Sequence, residues 1–442
     1  MTADLTRGSI RAQLIALAVP LLMGNILQQL YNTIDAVIVG RFVGEAAFAA
    51  VGVSGSVMNL FLFLLNGGCA GVGVMLSQFY GGKDLPTFRR GFFLSTAAGG
   101  AFTAALTAVA LLSLHPMLTV LQTPQEVIPF AQDYLRLIYV GLMASFAYHL
   151  SSAVLRSVGD TRSALVFLLI SMGANLVLDV WFIAELGLGV AGAALATVIA
   201  QGLAAVLCVG YLVIYYPQLM FRRRDMLMDP PLLARTARFS LVSAMQMCSL
   251  YIGKLLVQGT VNSLGTDAIA AYTAATRIEG FANSFGDSGC TAVSIFIGQN
   301  TGAKDNKRVR DGFRTGQILL AILGLTMSAL MIIFAVPTLK LVLPADSAGG
   351  LEHAVGYLRL VAVFYVFNFL GSGLSGYFHG RGRVNLPVAG TSSHITIRVI
   401  ISFFLASRMG LEAVALGTGL GWAYVVCFWT VFRKQDFKRM ET

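Results

Sequence analysis

Charge is scarce in this 442-residue chain. Asp, Glu, Lys and Arg make up 12% of it, about half of the ~25% found in soluble domains. That shortage excludes a large globular enzyme with a solvated surface. Cysteine is also sparse, and all five residues (Cys69, Cys208, Cys248, Cys290 and Cys427) fall in apolar stretches. Without a C-x-x-C or a Cys/His cluster, neither a disulfide framework nor a structural zinc site is indicated, and the thiols read as small packing residues. The glycine-rich runs match neither a P-loop nor a dinucleotide fingerprint in a strand context, which excludes a nucleotide-driven pump. No cofactor is expected, and the isolated His115 and His149 read as structural. The stretch holding Asp4, Arg7 and Arg11 lacks the short apolar core and small-residue cleavage site of a signal peptide.

What the chain has is apolar length. It is 56% hydrophobic, with a mean hydropathy of +0.75. At about 20 residues per crossing, it divides into twelve candidate spans: 14–39, 47–78, 92–112, 134–156, 163–184, 190–216, 236–260, 268–298, 313–337, 356–379, 386–407 and 411–432. The net charge of +10 is not spread as a nucleic-acid surface would require. Lys and Arg crowd into alternate loops, among them Lys83, Arg89 and Arg90, then Arg222–Arg224, Lys304–Arg314 and Arg433–Arg439. This positive-inside bias predicts that both termini lie in the cytoplasm.

The two halves repeat. Gly81-Gly82-Lys83-Asp84 recurs as Gly302-Ala303-Lys304-Asp305, and Gly68-Cys69 recurs as Gly289-Cys290, at an offset of 221; Gly187-Leu188 and Gly410-Leu411 match at 223. Six spans per copy is an even number, so both copies enter from the same side and enclose a site at their interface. The predicted fold is an all-α polytopic membrane protein, twelve transmembrane helices in two pseudo-symmetric six-helix lobes. The expected division is an N-terminal lobe over 1–216, a cytoplasmic linker over 217–235 with Arg222–Arg224 and Pro230-Pro231, and a C-terminal lobe over 236–442.

Carboxylates inside apolar spans mark where function is sought, because each costs roughly 2.5–3.5 kcal/mol at mid-membrane on insertion scales. Asp35 ends a stripe of Asn25, Gln28 and Asn32 at helical spacing, and Asn175 lies four residues before Asp179 on one face. Such hard oxygen donors suit a proton or Na⁺. Thr197 and Gln201 lie one turn apart in a span of small residues. The second half carries Glu279, Asn283 and Asp287 at four-residue spacing, with Lys254, Arg277 and Arg398 in reach. These six read as a salt-bridged network or, in the competing reading, a proton relay or substrate contact. The first half has acids without bases, so coupling is expected there.

The run from Pro20 through Asn25-Ile26-Leu27-Gln28-Gln29-Leu30-Tyr31-Asn32-Thr33-Ile34-Asp35, followed by Gly44 and Ala49-Ala50-Val51-Gly52, resembles the first span and loop of multidrug and toxic compound extrusion (MATE) transporters. It is most similar to the prokaryotic branch with the DNA-damage-inducible F-type members. That resemblance implies a cation site at Asp35, Asn175, Asp179 and Thr197, holding Na⁺ or H⁺, with Tyr139 nearby.

The expected function is therefore secondary active efflux of small organic, cationic or amphipathic compounds, driven by an H⁺ or Na⁺ gradient through alternating access. The alternative is a flippase or exporter of a lipid-linked oligosaccharide or another amphipathic metabolite. A non-enzymatic, monomeric, multi-pass protein of the prokaryotic inner membrane is expected, with lipid around it and no nucleic-acid partner.

Overall fold

The computed structural model describes residues 4–42, 45–120, 123–343 and 348–440, without the side chains of 32–33, 35–37, 39–49, 120 and 348. The first half folds as α1 (Ile10–Phe42), α2 (Glu45–Gly81), α3 (Leu85–Leu112), a short α4 (Leu114–Val120), α5 (Ile128–Ser157), α6 (Thr161–Asp179) and α7 (Gly189–Tyr215). The second half repeats this order. It holds α8 (Pro230–Asn262), α9 (Thr266–Gly302), α10 (Asn306–Ile333), a short α11 (Ala335–Val342), α12 (Ala348–Val363), α13 (Tyr365–Gly380), α14 (Asn385–Met409) and α15 (Leu411–Arg439).

Ten of these helices are long and apolar enough to cross a membrane, and α12 with α13 form an eleventh crossing bent by 50°. The remaining span is α9, whose apolar length is broken by Arg277, Glu279 and Asp287. Twelve crossings in two sets of six are the architecture the hydropathy predicts. The linker is shorter than the sequence suggests, because α8 already begins at Pro230. Pro230 and Pro231 open the helix, where a missing N–H costs nothing, and Asp229 accepts from Leu232 N–H at 3.1 Å.

The repeat is written into the backbone. Lys83 and Lys304 both adopt φ 58°, each followed by an aspartate that caps the next helix. Asp84 accepts from Thr87 N–H at 3.1 Å, and Asp305 from Arg308 N–H at 2.8 Å. Gly159 and Gly382, at φ 83° and 76°, and Gly187 and Gly410, at 64° and 59°, are further left-handed pairs.

The chain forms two compact units. One is Met23–Ala244, and the other joins Leu5–Leu22 to the chain from Met245 onward. The expected boundary in the 217–235 linker is therefore not where compactness divides the chain. The first part of α1 belongs to the second unit, and the first part of α8 to the first. The two division points are 222 residues apart, so the exchange itself follows the repeat. Pro20 lies within α1 just before its point of division, where it removes a hydrogen bond from the helical ladder.

In the first unit α5 is the central helix, packed on α2, α3 and α7, with Leu135, Tyr139 and Leu142 fully buried. Gly68 and Gly71 of α2 meet the start of α8 in that unit. A Cβ on Gly71 would stand 2.1 Å from Phe239 O, and one on Gly68 2.9 Å from Ser240 Oγ. In the second unit α13 takes the central place against α9, α10 and α15. There the N-terminal segment is pinned: Leu5 N–H donates to Gln299 Oε1 at 3.2 Å, and Arg308 donates to Leu5 O, Gly8 O and Gln13 Oε1 at 2.9, 3.0 and 2.7 Å.

Candidate functional site

In the first unit, α6 presents a buried polar stripe. Ser171, Asn175 and Asp179 follow one another at four-residue steps, with 9, 2 and 0% exposure. Opposite them α7 carries Gly192, Ala193, Ala196 and Ala200, small residues that let two membrane helices approach closely. Ser171 Oγ donates to Ala200 O at 2.8 Å. One turn on, the Asn175 amide is satisfied on both sides. Its oxygen accepts from Thr197 N–H at 3.0 Å and its nitrogen donates to Asp179 Oδ2 at 2.9 Å. The same amide is hydrogen-bonded to the Tyr31 hydroxyl of α1. Three helices thus converge on one amide and one carboxylate.

After Asp179 the chain makes a wider turn of π-helix over Val180–Glu185, a feature frequent at functional sites. It releases the α6 ladder just beyond the carboxylate. Gln201, one turn after Thr197 on α7, holds its Oε1 buried with no partner among the described residues. An acceptor left in that state costs stability unless a ligand or proton donor meets it.

The site residues expected from sequence fare differently. Asn175, Asp179 and Thr197 come together, but Thr197 joins through its backbone N–H. Its hydroxyl turns back to Ala193 O at 3.0 Å, the bond a helical Thr commonly makes. The side chain of Asp35 lies outside the described residues. Its position in α1 is one turn after Tyr31, on the same helical face. Tyr139 is placed elsewhere, its hydroxyl donating to Met117 Sδ at 3.8 Å and its ring set edge-on to Phe61 at 5.2 Å. Tyr31 is the residue that sequence reasoning passes over.

The second unit gathers aromatics around a buried acid. Glu279 is 7% exposed. Tyr365 donates to Asn283 Oδ1 at 3.2 Å, with Glu279 O at 3.4 Å, and Asn368 also donates to Asn283, at 2.9 Å. Arg398 donates to the Tyr272 hydroxyl at 2.9 Å, which stacks edge-on to Tyr357 at 5.5 Å. Tyr357 and Tyr365 both turn their hydroxyls toward the Glu279 carboxylate.

Lys254, Arg277, Arg398, Glu279 and Asp287 form no direct ion pair among those described, which include Arg89–Asp225, Arg90–Asp229, Arg381–Asp436 and Arg383–Asp436. The charges of Arg398 and Lys254 nevertheless act on Glu279, and that of Lys254 on Asp287. Arg277 is exposed while Glu279 is buried, because residues two apart on a helix face opposite ways. Lys254 and Asp287 are exposed as well.

Known proteins share this fold. The MatE family model matches residues 20–181 and 243–422. The chain belongs to the MATE family. It is a multi-pass membrane transporter built from two copies of a six-helix unit. The probable multidrug resistance protein YpnP of Bacillus subtilis is 26% identical over 438 residues, 96% of this chain and 95% of that one. DNA damage-inducible protein F of Escherichia coli is 26% identical over 330 residues, covering 72% of this chain and 69% of that one. Among solved structures, a MATE protein in complex with MaL6 matches with a TM-score of 0.93 at 20% identity, over 99% of this chain and 98% of that one. The outward-facing conformation of a multidrug resistance MATE family transporter also gives 0.93, at 21% identity and the same coverage. At such identities the structural likeness concerns the fold.

Proposed function

We propose that this MATE protein is a secondary active exporter of small organic compounds, coupled to an inward cation gradient through the Asn175–Asp179 site. The observation that carries this reading is the convergence of Tyr31, Asn175, Asp179 and Thr197 from three helices inside one unit. Asp35 is proposed as the second carboxylate, set one turn from Tyr31. A buried carboxylate held by an amide, in a helix otherwise made for lipid, is a place to bind and release a positive charge. The relatives named as multidrug resistance proteins support organic compounds as cargo.

Either coupling ion changes the same hydrogen bonds. Protonation of Asp179 weakens its hold on the Asn175 nitrogen and so loosens the tie to Tyr31 of α1. A Na⁺ would require the Asn175 oxygen to turn from Thr197 N–H toward the ion. In both cases the ion acts by favouring one of two conformations, which it does only through different affinities for them. The basic loops support a reading with both termini in the cytoplasm of a prokaryotic cell, and a monomer in the inner membrane belongs to the same proposal.

The test is transport of a panel of organic cations by purified protein in proteoliposomes, with ΔpH and ΔNa⁺ imposed separately. Gradient-dependent movement of at least one compound is expected. Equal movement with and without both gradients rules the coupled mechanism out.

A further inference from the structure

The two units differ where their repeat should match most closely. In the first, Gly68 and Gly71 bring α2 onto the backbone of α8 at Phe239, Ser240 and Ser243, leaving no space for a Cβ. At the 221-residue offset, Gly71 corresponds to Ala292 on α9, while Phe239 and Ser243 correspond to Ala18 and Leu22 on α1. The Cβ of Ala292 keeps those helices from closing in the same way. A cavity of about 320 Å³ stands at that place, lined by Leu14, Ala18, Leu22, Ser288, Ala292 and Leu323 among others, all within the second unit. That volume lies at the lower end of small-molecule sites.

The lining decides what fits. Its polar side chain, Ser288, donates its hydroxyl to Ser284 O at 2.6 Å, so the wall is apolar, and apolar cavities stay dry. Ile15, Val19 and Ile322 at its edge are 41, 46 and 57% exposed, so the cavity opens on an apolar surface of membrane-crossing helices. At one end, Arg11 lies on the same face of α1 as Leu14, Ala18 and Leu22. Arg11 and Arg7 are both exposed there. An apolar slot with free cations at one end matches an acyl chain carrying an anionic headgroup.

We infer that this cavity binds one acyl chain of an anionic glycerophospholipid, its phosphate at Arg11. The site is separate from Asn175 and Asp179, and lies in the other unit.

The test uses the full-length protein and phosphatidylglycerol or phosphatidylcholine with identical chains, read by native mass spectrometry. One phosphatidylglycerol is expected to remain bound at least tenfold more persistently than phosphatidylcholine. Arg11→Gln should abolish the preference between headgroups, and Ala18→Phe should remove the retained lipid of both kinds. Photo-crosslinking of the unaltered protein with a diazirine-bearing chain stands beside these variants, independent of how they fold. Adducts within 14–22, 285–293 or 316–323 support the site. Adducts only elsewhere, or unchanged retention by Ala18→Phe, overturns it.

Discussion

Lys83 and Lys304 hold the same left-handed backbone, φ 58° in each, at equivalent points of two six-helix units. A side chain with a Cβ costs about 1–2 kcal/mol in that conformation. The turn persists because the flanking bonds over-determine it: Asp84 N–H donates to Phe79 O and Asp305 N–H to Asn300 O, at 3.0 and 3.1 Å. Lys83→Gly and Lys304→Gly should each raise the melting temperature, by up to about 1 kcal/mol of stability. Lys83→Val should lower it. Thermal unfolding in detergent checks both, and a loss of stability in the glycine variants would contradict the strain.

Asp179→Asn removes the charge and keeps the shape beside Asn175. Gradient-driven export should fall more than tenfold while expression and melting temperature stay near those of the parent. Asn175→Ala removes the amide that links Asp179 to Tyr31 and Thr197. It should lower export under an H⁺ gradient as well as under a Na⁺ gradient. Full gradient-driven export by this variant would refute the role of the amide.

Gly71→Ala places a Cβ 2.1 Å from Phe239 O, and overpacking of this kind costs about 1–3 kcal/mol. Gly52→Ala meets nothing within 4 Å and should be neutral or slightly stabilising. Unfolding measurements on the pair test whether the close approach of α2 and α8 persists in the membrane protein as purified.

Asp225 gives a pH dependence. Burial pushes its carboxyl up, but hydrogen bonds from Arg222 N–H and the Arg89 guanidinium outweigh that and hold it below the usual carboxylate range. The contacts are 2.9 and 3.0 Å. With the folded value below the unfolded one of about 4, the contribution is present above pH 4 and is lost as pH falls through the folded value. Hydrogen exchange over 217–229 should therefore be flat from pH 7 to 5 after correction for intrinsic rates, and protection should fall below about pH 4. Asp225→Asn should lower protection at neutral pH already.

Some of this was legible without coordinates. Long apolar runs and the Gly-Gly-Lys-Asp repeat are local patterns, and they carry the twelve-helix plan directly. Asn175 and Asp179 stand out because a polar pair four apart in an apolar helix must share a face and needs partners. Tyr31 gives no such signal: an aromatic in an apolar span reads as packing, and its bond to Asn175 spans 144 positions. Thr197 contributes a backbone N–H that any residue but proline would supply, so its hydroxyl is a misleading clue. Arg277 and Glu279 look like partners by proximity in sequence, yet helical geometry turns them apart. The exchange of α1 and α8 segments between units follows from tertiary packing, about which periodicity is silent.

The pinned N-terminal segment has a consequence for biosynthesis. Leu5 emerges from the ribosome well before the groups that receive it, Gln299, Asn300 and Arg308, about 300 positions later. The segment must wait, unseated, until those helices have been inserted. The second unit cannot be finished from its own half of the gene alone. A fragment starting at the linker would lack residues 5–22, and supplying that short piece on a separate chain should help it mature.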